Sequence, residues 1–344
     1  MSSTKIGTAS WRYYQREVAT DPSEYFLARG EAPGRWYGRG LPELGLAPDG
    51  VVLERQLESL LARGLHPETG RQLGRAWRTD GVTGYDLTFS APKSVSALWA
   101  IGWPQVAGEI ADAHQAAVRA ALTFLDTHAA MSRKGVDGVT PIHTAGFAAA
   151  VFDHRTSRAG DPQLHSHALV VNKLRCADGG WRTIDGHEIY HHKKATGALY
   201  QAALRAELTR RLGVGFDPVN PHGQAEIAGV PADLISTWSK RARQVEADAA
   251  PSLAGFADEL GRDLTPAERA RVVKTSVLKT RPRKAHLEPG VLQNRWRTEA
   301  AMAGWSPDRL TRAVLDAGRR HRASRGGHRL AVPQASEVGQ TVRR

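Results

Sequence analysis

Three histidines pose the chemical question in this sequence. They fall in one short stretch, His154-Arg-Thr-Ser-Arg-Ala-Gly-Asp-Pro-Gln-Leu-His165-Ser-His167. Upstream, the apolar run Gly146 to Phe152 reads as a buried strand; downstream, Ala168 to Val171 reads as another. Arg158, Ala159, Gly160, Asp161 and Pro162 between them have the composition of a turn. Two antiparallel neighbours joined by a short connection are therefore expected. Side chains alternate along a strand, so His165 and His167 share a face, and His154, ending the first strand, can reach across to them. Three nitrogens with coordination positions left over form the donor set of a catalytic divalent ion. A single histidine here would more simply be a packed, hydrogen-bonded side chain. The His-x-His pair with a third imidazole on the preceding strand favours metal.

Phenols form a second set. Tyr13, Tyr14 and Tyr25 lie in the N-terminal segment, with Arg12 and Arg16 beside the first pair. A tyrosine hydroxyl, with its pKa of about 10, is a poor nucleophile near neutrality and needs a metal or a base to activate it. Without the histidines, these aromatics would read as core anchors of an amphipathic helix. Asp86 is a third element. It sits in Gly84-Tyr-Asp-Leu-Thr-Phe-Ser90, where Tyr85, Leu87 and Phe89 face one way and Asp86, Thr88 and Ser90 the other. If this strand joins the histidine sheet, its carboxylate can orient a metal-bound imidazole or take a proton from a tyrosine. On its own it would read as a solvated strand aspartate.

The remaining elements must hold these groups in place. Pro92 opens a helix running past Trp99. Val106 to Ala130 and Thr196 to Leu212 are long helices, the second ended by Gly213. On the first, His114 and His128 read as surface residues. Gly179-Gly180 before Trp181 suggests a hairpin, and His187, His191 and His192 beside Lys193 and Lys194 read as a basic face or helix entry. The glycine-rich Gly34-Arg-Trp36-Tyr-Gly-Arg-Gly40 could stack on a nucleic-acid backbone or be an ordinary turn. Helical segments with Lys240, Arg241 and Arg281 near their ends suit phosphate contacts. Beyond about residue 320, periodicity fades into a basic tail.

Composition bounds the class. Lysine and arginine exceed acids by 12 (47 against 35) in 344 residues, which favours a polyanionic partner without deciding it. The one cysteine, Cys176, excludes an internal disulfide and a cysteine-based zinc site. There is no phosphate-binding Gly-x-x-x-x-Gly-Lys-Ser/Thr loop, so ATP-driven chemistry is not expected. Neither a signal peptide nor an apolar run of spanning length is present, and the simplest expectation is a soluble cytoplasmic protein without membrane insertion.

Taken together, Tyr13-Tyr14 and Tyr25, then Tyr85-Asp-Leu-Thr-Phe-Ser-Ala-Pro-Lys-Ser-Val-Ser96, then His154 with Asp161-Pro-Gln-Leu-His165-Ser-His167, resemble the relaxase domain of F-plasmid-type (MobF) conjugative relaxases, which are HUH endonucleases. The likeness runs to about residue 285, and the block from Asp86 to Ser96 is its most specific part. The resemblance implies an α+β fold, a palm-like central antiparallel sheet flanked by helices. It implies a relaxase domain over 1–285, with 215–285 as helical fingers closing on single-stranded DNA, followed by a basic, partly flexible extension over 286–344.

The implied reaction nicks one strand at an origin of transfer. Tyr13 attacks the scissile phosphate, leaving a 5′-phosphotyrosine and a free 3′ hydroxyl. Tyr14 is its pair partner, and Tyr25 matches the tyrosine of the second strand transfer. Asp86 assists Tyr13 or orients a ligand. His154, His165 and His167 hold one divalent ion (magnesium, manganese or zinc). Arg12, Arg35, Trp36, Lys93, Arg158, Lys240, Arg241 and Arg281 are the expected DNA-facing residues. Accessory DNA-binding proteins and a conjugative coupling protein are implied partners.

Three departures stand out. Phe26 replaces a tyrosine that often completes the second pair. Ser166 replaces a bulky apolar residue, and on the face away from the metal it is expected to matter little. The helicase that usually follows is not in this sequence, which leaves a fragment or a stand-alone relaxase. The alternative without a covalent intermediate is a metal-dependent DNA hydrolase or a zinc-stabilised DNA-binding module.

Overall fold

A computed structural model describes residues 1–8, 33–280 and 289–326. Two-residue alternation builds its centre. Five strands, β1 (Ser2–Ile6), β2 (Arg35–Tyr37), β3 (Gly84–Ser90), β6 (Ala149–Thr156) and β7 (Pro162–Val171), form one antiparallel sheet in the order β1-β3-β7-β6-β2. Two short pairs stand apart: β4 (Ser132–Lys134) with β5 (Thr140–Ile142), and β8 (Leu174–Arg175) with β9 (Trp181–Arg182), the hairpin expected at Gly179-Gly180. Among the described residues the α-helices are α1 (Glu54–Leu57), α2 (Lys93–Ile101), α3 (Pro104–Ala129), α4 (Gly186–Leu212), α5 (Ala232–Thr237), α6 (Lys240–Leu260), α7 (Pro266–Lys279), α8 (Pro289–Met302) and α9 (Pro307–Gly326). A helix-flanked antiparallel sheet is the expected α+β architecture.

The two faces of the sheet are covered differently. One face presents Tyr85, Leu87, Phe89, Ala149, Leu164, Ala168 and Val170 to α2, α3 and α4, which together make the main core. On the other, Ile6, Trp36, Ala150, Phe152, Leu169 and Val171 pack under Leu41, Leu44, Leu57, Leu60 and Leu61. This smaller cluster occupies only one end of its face, and the histidines stand at the other. Phe152 marks the boundary: it is buried and lies opposite His167 in the β6–β7 ladder. Phe152→Ala is expected to cost about 3–5 kcal/mol of unfolding free energy, from lost transfer and a cavity. A denaturant titration showing less than about 1 kcal/mol would mean this end of the sheet is not packed as described.

Several expectations shift for local reasons. The first histidine strand starts at Ala149 rather than Gly146, because Asp126 on α3 accepts the Phe147 amide at 2.9 Å and draws the chain off the ladder. Gly146 makes that departure at φ +110°, where a Cβ would meet the Asp126 carboxylate at 2.9 Å. His154 does not end its strand; β6 continues to Thr156 past a bulge. The glycine-rich segment is not a plain turn. Arg35–Tyr37 is edge strand β2, and Trp36 is 1% exposed with its indole N–H donated to Gln56 Oε1 at 2.9 Å.

Helix α4 starts at Gly186, ahead of the expected Thr196, because the Asp185 side chain caps it by accepting from the His187 amide at 3.1 Å. His187, His191 and His192 therefore lie on its first turns. His128 is exposed as expected, but His114 is 1% exposed and belongs to the interior. Over 289–326 the chain is not an appendage. Leu292, Trp296 and Ala300 of α8 and Leu310 and Val314 of α9 complete the main core, and helix persists to Gly326, past the point where periodicity fades.

Candidate metal centre

Strand register alone collects the three imidazoles. His154 stands directly opposite His165 across β6 and β7, and His167 is two residues further along the same face. The ring centroids form a near-equilateral triangle with sides of 5.3, 5.0 and 5.2 Å. One ligating atom from each ring lies within 4.8 Å of the others. His154 is buried, and His165 and His167 are half-buried.

Hydrogen bonds fix which nitrogen two of the rings present. His167 Nδ1 lies 2.8 and 2.9 Å from the two carboxylate oxygens of Asp86. His165 Nδ1 lies 2.9 Å from the Gln163 carbonyl. Both partners only accept, so Nδ1–H donates in each case and Nε2 carries the ring's lone pair. Asp86 reaches its position because β3 pairs with β7, setting Asp86 opposite Leu169 and Thr88 opposite His167. It is 6% exposed, so its charge is directed at the imidazole rather than solvated. Such outer carboxylates set ring orientation and ligand basicity. Asp86→Ala is therefore expected to weaken divalent-metal binding about 10- to 100-fold in calorimetry; an unchanged affinity would remove Asp86 from the centre.

The turn joining β6 to β7 is clamped from outside the sheet. Asp161, 1% exposed, accepts the Lys240 backbone amide at 2.9 Å and pairs with its ammonium at 3.2 Å. The same ammonium reaches Glu299 of α8 at 2.8 Å. Trp296 donates its indole N–H to the Gly160 carbonyl at 2.9 Å. Lys93 donates to the Pro162 carbonyl at 2.8 Å, and burial pulls its ammonium down to about 8 although Asp161 and Glu226 pull it up. Arg241 binds the Thr280 carbonyl at 2.7 Å and the Val277 carbonyl at 2.8 Å, tying α6 to α7.

The expected DNA-facing residues thus divide. Lys93, Lys240 and Arg241 each bond within the protein, and buried Trp36 offers no stacking surface. Arg35 is exposed on the β2 edge, and Arg158 lies half-buried in the clamped turn. Arg12, Tyr13, Tyr14, Tyr25 and Arg281 fall outside the described residues. Asp161 and Gln163 were not singled out as site residues. The turn composition around Asp161 was visible, but its partners, Lys240 and Glu299, are remote in sequence.

The family model described as TrwC relaxase matches residues 8–303. The chain belongs to the TrwC relaxase family. Its fold agrees with solved members of that family. The conjugative relaxase TrwC in complex with oriT DNA, in a copper-bound structure, superimposes with a TM-score of 0.69 at 29% identity, covering 88% of this chain and 98% of that one. A metal-bound TrwC–oriT complex gives a TM-score of 0.68 at 30% identity over the same shares. The multifunctional conjugation protein TraI of Escherichia coli strain K12 is 32% identical over 289 residues. Those residues are 80% of this chain but 15% of TraI, so this sequence spans a small part of that relative's length.

The donor set fits a divalent ion. Three imidazoles converge from one sheet face, two of them held in the ligand-competent tautomer, one by a buried carboxylate and the other by a backbone carbonyl. All-nitrogen sites of this kind accept several first-row metals. Among the described residues, no helix is long and apolar enough to cross a membrane.

Proposed function

We propose that this chain nicks one strand of DNA at a plasmid origin of transfer by tyrosine transesterification and so initiates conjugative transfer. The observation that carries the reading is the His154–His165–His167 triad backed by Asp86 in a family with members solved in complex with oriT DNA. One TrwC complex contains a 27-mer comprising the recognition hairpin and the cleavage site. A single-stranded origin segment is accordingly the proposed substrate.

In this reading Tyr13 supplies the nucleophile. Its phenolic oxygen forms a bond to the scissile phosphorus while the bond from phosphorus to the 3′ oxygen breaks. The phenolic proton leaves to a base, and the departing 3′ oxygen gains a proton to become a hydroxyl. Phosphoester energy is conserved in the 5′-phosphotyrosine, so the strand can be rejoined without ATP. Tyr25 performs the second transfer and Tyr14 pairs with Tyr13.

His154, His165 and His167 would hold the divalent ion, which, when bound, offsets charge on the non-bridging phosphate oxygens during in-line attack. Asp86 faces His167 with both oxygens, which favours orienting that ring over serving as the base for Tyr13. Arg35 and Arg158 are proposed backbone contacts, within a chain of net charge +12. The fingers over 215–285, cytoplasmic action, and accessory and coupling proteins as partners belong to the same proposal.

The test is to incubate the 344-residue chain with Mg²⁺ or Mn²⁺ and a panel of single-stranded origin oligonucleotides. The expected product is a protein–DNA adduct, stable to denaturation, whose mass equals the chain plus the 3′ portion of the oligonucleotide. Cut DNA without any adduct would favour the hydrolase. Binding without cutting across the panel would favour the binding module.

A further inference from the structure

The triad has an underside that the proposed reaction leaves without a role. On the helix-facing side of the same strands, Asp153 stands opposite Ser166 in the β6–β7 ladder. Asp153 precedes His154, and Ser166 separates His165 from His167. The Ser166 hydroxyl donates to Asp153 Oδ1. His114 Nε2 lies 2.7 Å from the same hydroxyl oxygen, and His114 Nδ1 lies 2.9 Å from the Tyr200 hydroxyl.

The directions follow from counting protons. Ser166 has one, committed to the carboxylate, so its oxygen accepts from His114 Nε2–H. A neutral imidazole then offers only its Nδ1 lone pair, and Tyr200 donates to it. The chain runs Tyr200 to His114 to Ser166 to Asp153 with no donor facing a donor. Gln115 adds a bond to Asp153 Oδ2 at 3.2 Å. Ser166, His114 and Tyr200 are all buried. Burial holds His114 below the ordinary histidine range and raises Tyr200, which suits the neutral forms these directions require.

A bulge between His154 and Thr156 adjoins this rung. A slip of one residue in this pairing would carry His154 to the helix side of the sheet. The Asp153–Ser166 bond spans the strands at the rung next to His154 and His165. His114 on α3 and Tyr200 on α4 anchor it to the two longest helices. A satisfied buried network of this kind specifies a single geometry in a way an apolar filling does not. We infer that Tyr200, His114, Ser166 and Asp153 are positioning residues for the metal centre, holding the rung beneath the triad so that its three imidazoles address one ion. The four act through the strand backbone and rest on the metal-centre reading above. Ser166, expected from sequence to matter little, is thereby the link between the two faces of the sheet.

The test uses the full chain with Co²⁺ as probe, reading affinity by calorimetry and coordination geometry by visible absorption. Ser166→Ala is expected to bind Co²⁺ on the order of tenfold more weakly with shifted absorption bands. Ser166→Thr, which keeps the hydroxyl, should recover to within about twofold of wild type, and Tyr200→Phe should shift in the same direction as Ser166→Ala by a smaller amount. If Ser166→Ala does not fold, the Tyr200→Phe comparison decides. Wild-type affinity and spectrum in the variants that lose a hydroxyl would overturn the inference, as would equal weakening by Ser166→Thr. Undiminished Co²⁺ binding by His165→Ala would instead overturn the metal-centre reading itself.

Discussion

Tyr13→Phe abolishes covalent capture of an origin oligonucleotide while leaving divalent-metal affinity unchanged. That is the expected result, and its size follows from chemistry rather than packing. The substitution removes one oxygen, the atom that would bond to phosphorus. Capture should fall below detection unless Tyr14 or Tyr25 substitutes, so the decisive comparison includes the triple variant with all three phenols removed. Metal affinity is the control, because the three imidazoles that would hold the ion stand on β6 and β7. Covalent capture persisting in the triple variant would refute tyrosine chemistry, and the hydrolase reading would gain if that variant still cut DNA.

His165→Ala should lower cleavage on the order of 10³-fold and leave affinity for the uncut origin strand within about threefold. Charge stabilisation by a bound divalent ion is worth several kcal/mol in phosphoryl chemistry, and about 4 kcal/mol is a thousandfold in rate. Affinity, by contrast, comes from many backbone and base contacts spread over a basic chain. Losing one imidazole removes a ligand whose Nδ1 is already committed to the Gln163 carbonyl at 2.9 Å, so the surrounding strands should stand. Cleavage kinetics in Mn²⁺ and fluorescence-anisotropy binding at fixed salt separate the two effects. A variant that cuts at the wild-type rate would remove the triad from catalysis, and one that no longer binds DNA would undo the division between chemistry and grip.

The two experiments address opposite halves of the proposed reaction, the nucleophile and the electrostatic site that receives its target. Asp86→Ala, expected to act on metal affinity, joins them: it should lower cleavage through reduced occupancy and be rescued in part by excess metal. Rescue would separate an orienting carboxylate from a base consumed in proton transfer, which excess metal could not replace.

Much of the site was legible because it lies on strands. A period of two leaves little freedom, so His165 and His167 had to share a face, and Asp86 had to oppose Tyr85, Leu87 and Phe89. Once β3, β6 and β7 are neighbours, the triad and its carboxylate follow. Trp36 and His114 show where such reasoning stops. Trp36 carries a glycine-rich context that reads as a loop, but it becomes a buried edge-strand residue because Gln56, distant along the chain, accepts its indole N–H. His114 sits on an alanine-rich helix whose polar and apolar stripes do not announce which side meets the sheet. Its burial is decided by Ser166 and Tyr200.

The same division holds for the charged residues. Lys93, Lys240 and Arg241 read as phosphate ligands because a cation near a helix end suits an anion. Tertiary packing also gives them carboxylate and carbonyl partners, which the sequence does not show. What the amino-acid order determined by itself was local and periodic: strand faces, the metal donor set, the helix caps and the excess of positive charge. What only the folded molecule decided was pairing between remote segments. The β1-β3-β7-β6-β2 order, the clamp from α8 onto the β6–β7 turn and the buried chain from Tyr200 to Asp153 all join residues whose approach no short-range rule dictates. Their contacts become favourable only when the whole sheet and its helices bury surface together.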